Sequence, residues 1–267
     1  MPDRTDIVYK YDGSLEGLLT CVFEGFEKKE SPIAILSPVA PQILLYPEKE
    51  ILTDFEKSAR VMTGIREKIS QEAVYWVKMG MLIYHAEKEL LIFNFLKLGF
   101  TKGAKVTLML QNDRVRALHK AIGHLNMEAQ KLKGFIRFSE YNKALVSIIE
   151  PKNIILPLLI EHFCGRYPQE QFMIFDKAHR MALIYRPYEH KIIPVEDLTL
   201  PEADENEWKY RKLWKCFYDT IAIEGRYNPK CRMKLMPKRY WKYMTEFSTE
   251  TEKPEIVLKE NNFFLSV

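Results

Sequence analysis

The sequence predicts an α+β protein with a helical first half followed by an antiparallel sheet. The chain has 267 residues, of which 47% are hydrophobic, enough to bury a core in one large domain or two of ordinary size. Before Gly134 the apolar residues recur at helical spacings, whereas after it short β-type runs alternate with helical ones in the order β-β-α-β-β-α. That order favours helices packed on one face of a sheet. We expect a mainly helical region over 1–133, an α+β region with a basic C-terminal segment over 134–250, and a tail over 251–267.

Helix-capping signals organise the first half. Ser14 can cap the first helix, and Thr53, with Glu56 three residues later, forms a capping box for a helix to about Ile69. Ser70 can cap the helix after that. The most apolar window, 79–100, is interrupted by charged and polar residues, so it predicts a buried helix and not a bilayer span.

The clearest helix of the sequence covers 113–133. Its apolar positions recur every three or four residues, which is typical of an amphipathic helix. They are Val115, Leu118, Ile122, Leu125, Ala129 and Leu132.

The second half contains the predicted strands. A hairpin is expected from 135–138 and 144–149, a second strand pair from 171–175 and 181–185, and a further strand from 191–195. The predicted helices cover 153–166, 205–222 and 237–247. Pro157 stands early enough in the first of these to be tolerated.

The cysteine pattern excludes several kinds of site. Cys21, Cys164, Cys216 and Cys231 are scattered, without C-x-x-C spacing, and no signal peptide is recognisable. We therefore expect reduced thiols in a cytoplasmic protein, no structural zinc, and no cofactor. A radical-SAM iron–sulfur cluster needs three cysteines in one loop, which this chain lacks.

Positive charge is concentrated near the C-terminus. Residues 208–247 contain eleven Lys or Arg and three acids, and 230–242 contain six Lys or Arg and no acid, interleaved with aromatics. Cations suit phosphates and aromatic rings suit unstacked bases, so this composition favours nucleic acid. A solvated basic helix face is the alternative.

We predict that this segment binds nucleic acid. Residues 230–234 are expected on an extended connector whose alternate side chains face one way, followed by a helix that begins at Pro237. The predicted contact residues are Arg226, Asn228, Lys230, Arg232, Lys234, Lys238, Arg239, Tyr240 and Lys242.

Four residues are candidates for catalysis. Arg137 lies in an apolar run and would contact either a phosphate or a neighbouring acid. His162 follows an acid on a helix, so it is either a general base or an ordinary helical histidine. Asp176 either contributes to a site or builds the turn that it begins. Arg226 completes the set.

Several motifs resemble one bacterial family of unknown function that is described as a probable DNA-metabolism protein. The likeness spans about residues 7–247 and rests on three segments, 11–19 (Tyr-Asp-Gly-Ser-Leu-Glu-Gly-Leu-Leu), 133–138 (Lys-Gly-Phe-Ile-Arg-Phe) and 226–241, which opens Arg-Tyr-Asn-Pro and closes Met-Pro-Lys-Arg-Tyr-Trp. One departure is Gln130, since relatives often carry a histidine shortly before the Gly-Phe-x-Arg-Phe run.

The resemblance implies a context in DNA repair or modification. Family members pair with a radical-SAM protein, and some relatives are fused to a uracil-DNA glycosylase domain; the motifs of neither partner occur here. Three hypotheses follow for this chain: a DNA-binding accessory protein that assists the radical-SAM enzyme, an enzyme acting on a nucleobase or nucleotide, or a protein-interaction subunit without nucleic-acid contact. None of them involves a membrane.

Overall fold

The structure is a computed structural model that describes residues 4–38, 45–200, 203–221, 223, 225 and 228–247. It divides into two compact units, Met1–Asn126 and Met127–Val267. None of the helices described there is long and apolar enough to cross a bilayer.

The first unit contains a parallel sheet that the sequence did not predict. Three short strands, β1 (Val8–Lys10), β2 (Ala34–Leu36) and β3 (Glu48–Glu50), pair in the order β2-β1-β3. The expected helical first half is therefore only partly matched, because this sheet accompanies its helices. The strands have three residues each, too few to give a period-2 pattern.

Helices make up the rest of the first unit. They are α1 (Leu15–Lys28), α2 (Phe55–Gly64), α3 (Gln71–Leu82), α4 (Lys88–Lys102) and the first part of α5 (Asp113–Phe135), with a π-helical turn at Ile65–Ile69 and a 3-10 helix at Gly103–Leu108. Ser14 and Ser70 are the N-caps of α1 and α3, as predicted. The cap of α2 is Asp54, one residue after the predicted Thr53.

Residues 11–19 build the turn between β1 and α1. The Asp12 carboxylate accepts hydrogen bonds from the Ser14 backbone N–H at 2.9 Å and from the Thr53 hydroxyl at 2.7 Å, while Gly13 adopts a φ of +86°. The Ser14 hydroxyl then accepts from the Gly17 N–H. A side chain at position 13 would be strained in this left-handed conformation, so the motif has a local structural cause.

The amphipathic helix α5 is confirmed. All six of its predicted apolar positions are buried. The predicted single helix over 79–100 is instead divided between α3 and α4 by the turn at residues 83–87.

The second unit is built on a mixed five-stranded sheet. Its strands, in both sequence and spatial order, are β4 (Ser139–Tyr141), β5 (Ala144–Ile149), β6 (Phe172–Asp176), β7 (Met181–Arg186) and β8 (Glu189–Pro194). The pair β5–β6 is parallel and the other pairs are antiparallel. The predicted all-antiparallel sheet was wrong at this pair, because the crossover helix α6 (Leu156–Arg166) returns the chain to the starting edge of β5.

Residues 135–138 were predicted as a strand but do not form one. Phe135 ends α5, and Phe138 is surrounded by the rings of Phe163, Tyr167 and Phe172 at 5.5–5.8 Å. An apolar run of four residues suits a strand and a buried connection equally, so its period could not separate them. Beyond β8 lie α7 (Glu205–Thr220), α8 (Pro229–Leu235) and a C-terminal 3-10 helix (Lys238–Tyr243).

Candidate nucleic-acid interface

The basic segment is helical where an extended connector was predicted. The Asn228 side chain accepts a hydrogen bond from the Cys231 N–H at 3.0 Å and caps α8, and Pro229 occupies its first turn. Lys230 and Lys234 are therefore one helical turn apart on one face. Asn228 has a capping role, while Arg226 lies outside the described residues.

Arg232 faces the protein. Its guanidinium lies 5.2 Å from the centroid of the Trp241 ring and 5.6 Å from that of Phe247. These two rings are themselves stacked, with centroids 4.4 Å apart. The guanidinium makes cation–π contacts with both rings. Arg232 therefore stabilises the packing of Trp241 and Phe247.

Arg239 and Tyr240 belong to a buried polar cluster centred on Glu128 of α5. The Glu128 carboxylate accepts hydrogen bonds from the backbone N–H groups of Lys152 and Asn153 at 3.1 and 2.9 Å, and from the Asn153 amide at 2.6 Å. It also accepts from Arg239 at 2.7 Å and from the Tyr240 hydroxyl at 3.2 Å. We call these five residues the Glu128 cluster.

The surroundings of Glu128 favour its charged form. Burial by itself would raise the pKa of Glu128, but the hydrogen bonds from Asn153 and Lys152 and the charge of Arg239 outweigh it and lower the pKa. Tyr240 is buried, and burial raises the pKa of its hydroxyl to about 12. Tyr240 thus offers no free ring face to a base, and Arg239 is committed to Glu128 although its side chain is 41% exposed.

Arg137 contacts an acid, which is one of the two partners that its sequence context allowed. Its guanidinium donates to the buried Glu246 carboxylate at 2.7 and 3.2 Å, and lies 5.3 Å from the Trp214 ring centroid. The Trp214 indole N–H donates to the same carboxylate at 3.1 Å. Arg137 therefore ties α7 and the C-terminal residues to the end of α5.

The lysines of the segment behave differently from the arginines. Six of them are exposed and have no acidic oxygen within 4.0 Å among the residues that the structure describes; we call these the unpaired lysines. They are Lys209, Lys212 and Lys215 on α7, Lys230 and Lys234 on α8, and Lys238. Lys242 has a solvent-exposed contact with Glu150 at 3.6 Å.

Exposed aromatic rings accompany the unpaired lysines on α7. Tyr210 and Phe217 are largely exposed and Trp214 is partly so. The helix itself was predicted over 205–222, but none of its residues was among the predicted contacts, which all lie within 226–242. Alternation of Lys with Tyr, Trp and Phe over 208–217 was the available signal.

A histidine that the sequence argument did not single out lies beside Asp176. The Asp176 carboxylate is fully buried and bonds both the His179 backbone N–H, at 3.1 Å, and the His179 Nδ1, at 2.7 Å. The pair lies where β6 ends, at the carboxyl edge of the parallel pair β5–β6. The hydrogen bond with Asp176 raises the pKa of His179 and outweighs the opposite effect of burial.

This pair predicts a pH-dependent contribution to stability. Because the folded-state pKa of His179 is above its ordinary value of 6.5, its contribution is complete below pH 6.5 and is lost as the pH rises through the folded pKa. We expect His179→Gln to lower the free energy of unfolding by about 1.5–3 kcal/mol at pH 6 and by less at pH 9. Urea unfolding at both values measures this, with His190→Gln on β8 as the exposed control; equal costs at the two pH values would contradict it.

The remaining catalytic candidates have separate surroundings. Burial, followed by the charges of Lys133 and Arg166, lowers the pKa of His162, whose ring packs edge-on against Phe163 at 4.8 Å. Arg137, His162 and Asp176 each contact a different set of neighbours. No group of three or more His, Cys, Asp or Glu suited to a metal ion occurs in the described part of the chain.

Fold and side chains together define an α+β protein with a mixed sheet, in which Arg137 and Arg239 hold buried carboxylates and the six unpaired lysines face outward. The chain belongs to the family of a domain of unknown function, DUF4130, whose model matches residues 86–246. The match includes the Glu128 cluster and ends on Glu246, the buried partner of Arg137, whereas the parallel sheet of the first unit precedes it. No curated protein matches the chain.

Proposed function

We propose that this protein is a DNA-binding accessory component of a repair or modification system, and that it assists a radical-SAM enzyme. The observation that carries the proposal is the set of six unpaired lysines on α7, α8 and the C-terminal 3-10 helix. Lysines without acidic partners attract phosphates without first breaking an ion pair. Binding would release counterions and would weaken steeply as salt is added.

The neighbouring aromatic rings favour single-stranded or distorted DNA. Tyr210 and Phe217 expose apolar ring faces on a helix that also carries Lys209 and Lys212. Bases that are not stacked in a duplex can pack on such rings, whatever their sequence. The proposed interaction is thus sequence-tolerant, as suits a protein that presents DNA to an enzyme.

Fluorescence anisotropy with single- and double-stranded DNA across a salt series tests the proposal. The variant K230Q/K234Q/K238Q removes three charges whose side chains hold no acid in place. We expect the slope of log affinity against log salt to fall by about 2 to 3, since each phosphate contact contributes about 0.7 on single strands and about 0.9 on duplex.

The matched control removes three charges from the first unit. Lys78, Lys102 and Lys105 are exposed there, so K78Q/K102Q/K105Q changes the net charge equally. The proposal fails if the protein binds neither DNA at low salt, or if both triple variants lose the same affinity. Arg239 is unsuitable for this test because its replacement would also disturb the Glu128 cluster.

The radical-SAM partnership needs a separate experiment. A pull-down of that enzyme with the tagged chain, in the presence and absence of nuclease, distinguishes direct association from bridging by DNA. Retention after nuclease treatment supports the accessory role, and loss of the enzyme in both conditions removes it. Retention by a protein that fails to bind DNA would instead favour a protein-interaction subunit.

A second candidate, an enzyme acting on a nucleobase or nucleotide, is favoured by the Asp176–His179 pair. A buried carboxylate that orients a histidine is a common arrangement in general acid–base catalysis. Mass spectrometry of oligonucleotides with modified bases would detect base release or conversion. Conversion that persists in His179→Gln would assign the pair to turn structure.

A further inference from the structure

The loop between β7 and β8 holds an exposed aromatic ring in a backbone conformation that disfavours it. Arg186 and Glu189 close this hairpin as a cross-strand pair, so the loop has two residues, Pro187 and Tyr188. Tyr188 has a φ of +68° and is 82% exposed. A bulky side chain rarely adopts this left-handed conformation. The ring therefore neither fills the core nor suits its own backbone.

The geometry of the turn makes tyrosine an unusual residue at this position. Proline fixes φ at about −65°, so Pro187 excludes the type I′ and II′ turns that two-residue hairpins usually adopt. A positive φ at the second loop residue is that of a type II turn, where glycine or asparagine is usual. Residues held in strained conformations are concentrated at functional sites. An exposed ring at position 188 thus indicates a contact with a ligand.

Hydrogen bonds hold the loop in place. The Gln169 side-chain amide donates to the Tyr188 hydroxyl at 3.0 Å, and the Tyr188 N–H donates to the Tyr185 hydroxyl at 3.1 Å. Tyr185 is buried and donates in turn to the Pro168 carbonyl at 3.0 Å. The loop is thus tied to the segment between α6 and β6, and the ring is oriented before any ligand binds.

A positive charge beside the loop has no acidic partner. Arg186 is exposed and has no acidic oxygen within 4.0 Å among the residues that the structure describes. Its cross-strand neighbour Glu189 lies instead 3.3 Å from Lys191. The end of the hairpin therefore offers a flat ring face together with a guanidinium that can pair with an anion.

We propose that Tyr188 is a stacking site for an unpaired nucleobase of DNA, and that Arg186 contacts the phosphate beside that base. The inference rests on the proposed DNA binding and adds a second contact to those of α7 and α8. A base that is displaced from a duplex exposes a flat face that packs on an aromatic ring. Its phosphate carries the negative charge that a guanidinium binds. Every base has such a face, so the site accepts any base.

Fluorescence anisotropy with single-stranded DNA of mixed sequence tests the stacking contact. We expect Y188A to weaken binding about 5- to 150-fold, the usual effect of removing one stacked ring. The slope of log affinity against log salt should stay unchanged, because the ring carries no charge. R186Q should lower that slope by about 0.7, the value of one phosphate contact on a single strand. Y188F keeps the ring and should bind like the unaltered chain.

Two further variants control for the shape of the loop and for the loss of an exposed ring. Y188G should unfold at a higher urea midpoint than Y188A, because glycine tolerates the positive φ, while both bind DNA equally weakly. Restored binding in Y188G would trace the loss in Y188A to a distorted loop and overturn the inference. Y84A removes a ring that is 77% exposed in the first unit and should bind like the unaltered chain.

Ultraviolet cross-linking of an oligonucleotide that contains iodouracil provides a second measurement on the unaltered chain. We expect mass spectrometry to find the uracil adduct on Tyr188. Adducts confined to Tyr210, Trp214 and Phe217 of α7, or equal affinities of Y188A and Y84A, would overturn this inference and leave the proposed function standing. If the unaltered chain binds no DNA at low salt, the proposed function and the inference fail together.

Discussion

Glu128→Ala is expected to lower the free energy of unfolding by about 3–5 kcal/mol, because several donors lose one shared acceptor and each buried donor left unsatisfied costs about 1–3 kcal/mol. The substitution leaves the N–H groups of Lys152 and Asn153 without their acceptor, and it removes the partner of Arg239. These groups are about 25 and 111 residues away in sequence, so one side chain holds the end of β5 and the C-terminal 3-10 helix together. Urea unfolding at pH 7 measures the change as a lower midpoint.

The pH dependence of this effect has a defined sign. The folded-state pKa of Glu128 is below its ordinary value of 4.5, so its contribution is complete above pH 4.5 and is lost as the pH falls through the folded pKa. The difference between Glu128→Ala and the unaltered protein should therefore shrink in acid. Glu161→Gln, at an exposed site on α6, is the control, and a midpoint shift no larger than its own would contradict the prediction.

Glu246→Ala should be about as damaging, at about 3–5 kcal/mol, because it removes one partner from a largely buried charged pair. It removes the acceptor shared by the Arg137 guanidinium and the Trp214 indole. The indole would then face water, so we expect tryptophan emission to shift to longer wavelength under native conditions. The midpoint of urea unfolding and the emission spectrum of the folded protein check the two effects.

A matched control exists on α7 for this prediction. Glu205 is exposed in the first turn of the helix, and Glu205→Gln leaves the shared acceptor intact. Unchanged emission in Glu246→Ala, together with stability equal to that of Glu205→Gln, would show that the contact does not hold α7. Arg137→Lys would keep the positive charge but lose the pair of hydrogen bonds that the guanidinium donates. We expect its stability to lie between those of Glu246→Ala and Glu205→Gln.

Local sequence was sufficient for the helices with a clear cap or a regular apolar face. In α5, six apolar residues at regular spacing specified a face that the structure buries completely, because a helix repeats its orientation every 3.6 residues whatever the rest of the fold does. The caps at Ser14 and Ser70 were equally local, since each hydroxyl bonds an amide three residues ahead. For strands β5 and β7, alternation and β-branched content placed the elements to within a residue.

The pairing of strands could not be predicted from the sequence. Strands β1, β2 and β3 are too short to show a period, and they are recognised as strands only because distant segments hydrogen-bond to them. Helix α8 was missed for a related reason: its seven residues carry no apolar stripe, and Arg232 packs on Trp241 and Phe247 from a separate segment.

The sequence by itself determined the helical pattern, most strand positions and the accumulation of positive charge near the C-terminus, because composition and periodicity are properties of neighbouring residues. Only the tertiary structure showed which of the chain's cations form ion pairs with buried carboxylates. Arg137 and Arg239 hold carboxylates that lie about 110 residues away in the chain, whereas the unpaired lysines have no such partner in the described regions. A side chain's electrostatic partner is set by proximity in three dimensions, and that distance is not encoded in sequence spacing.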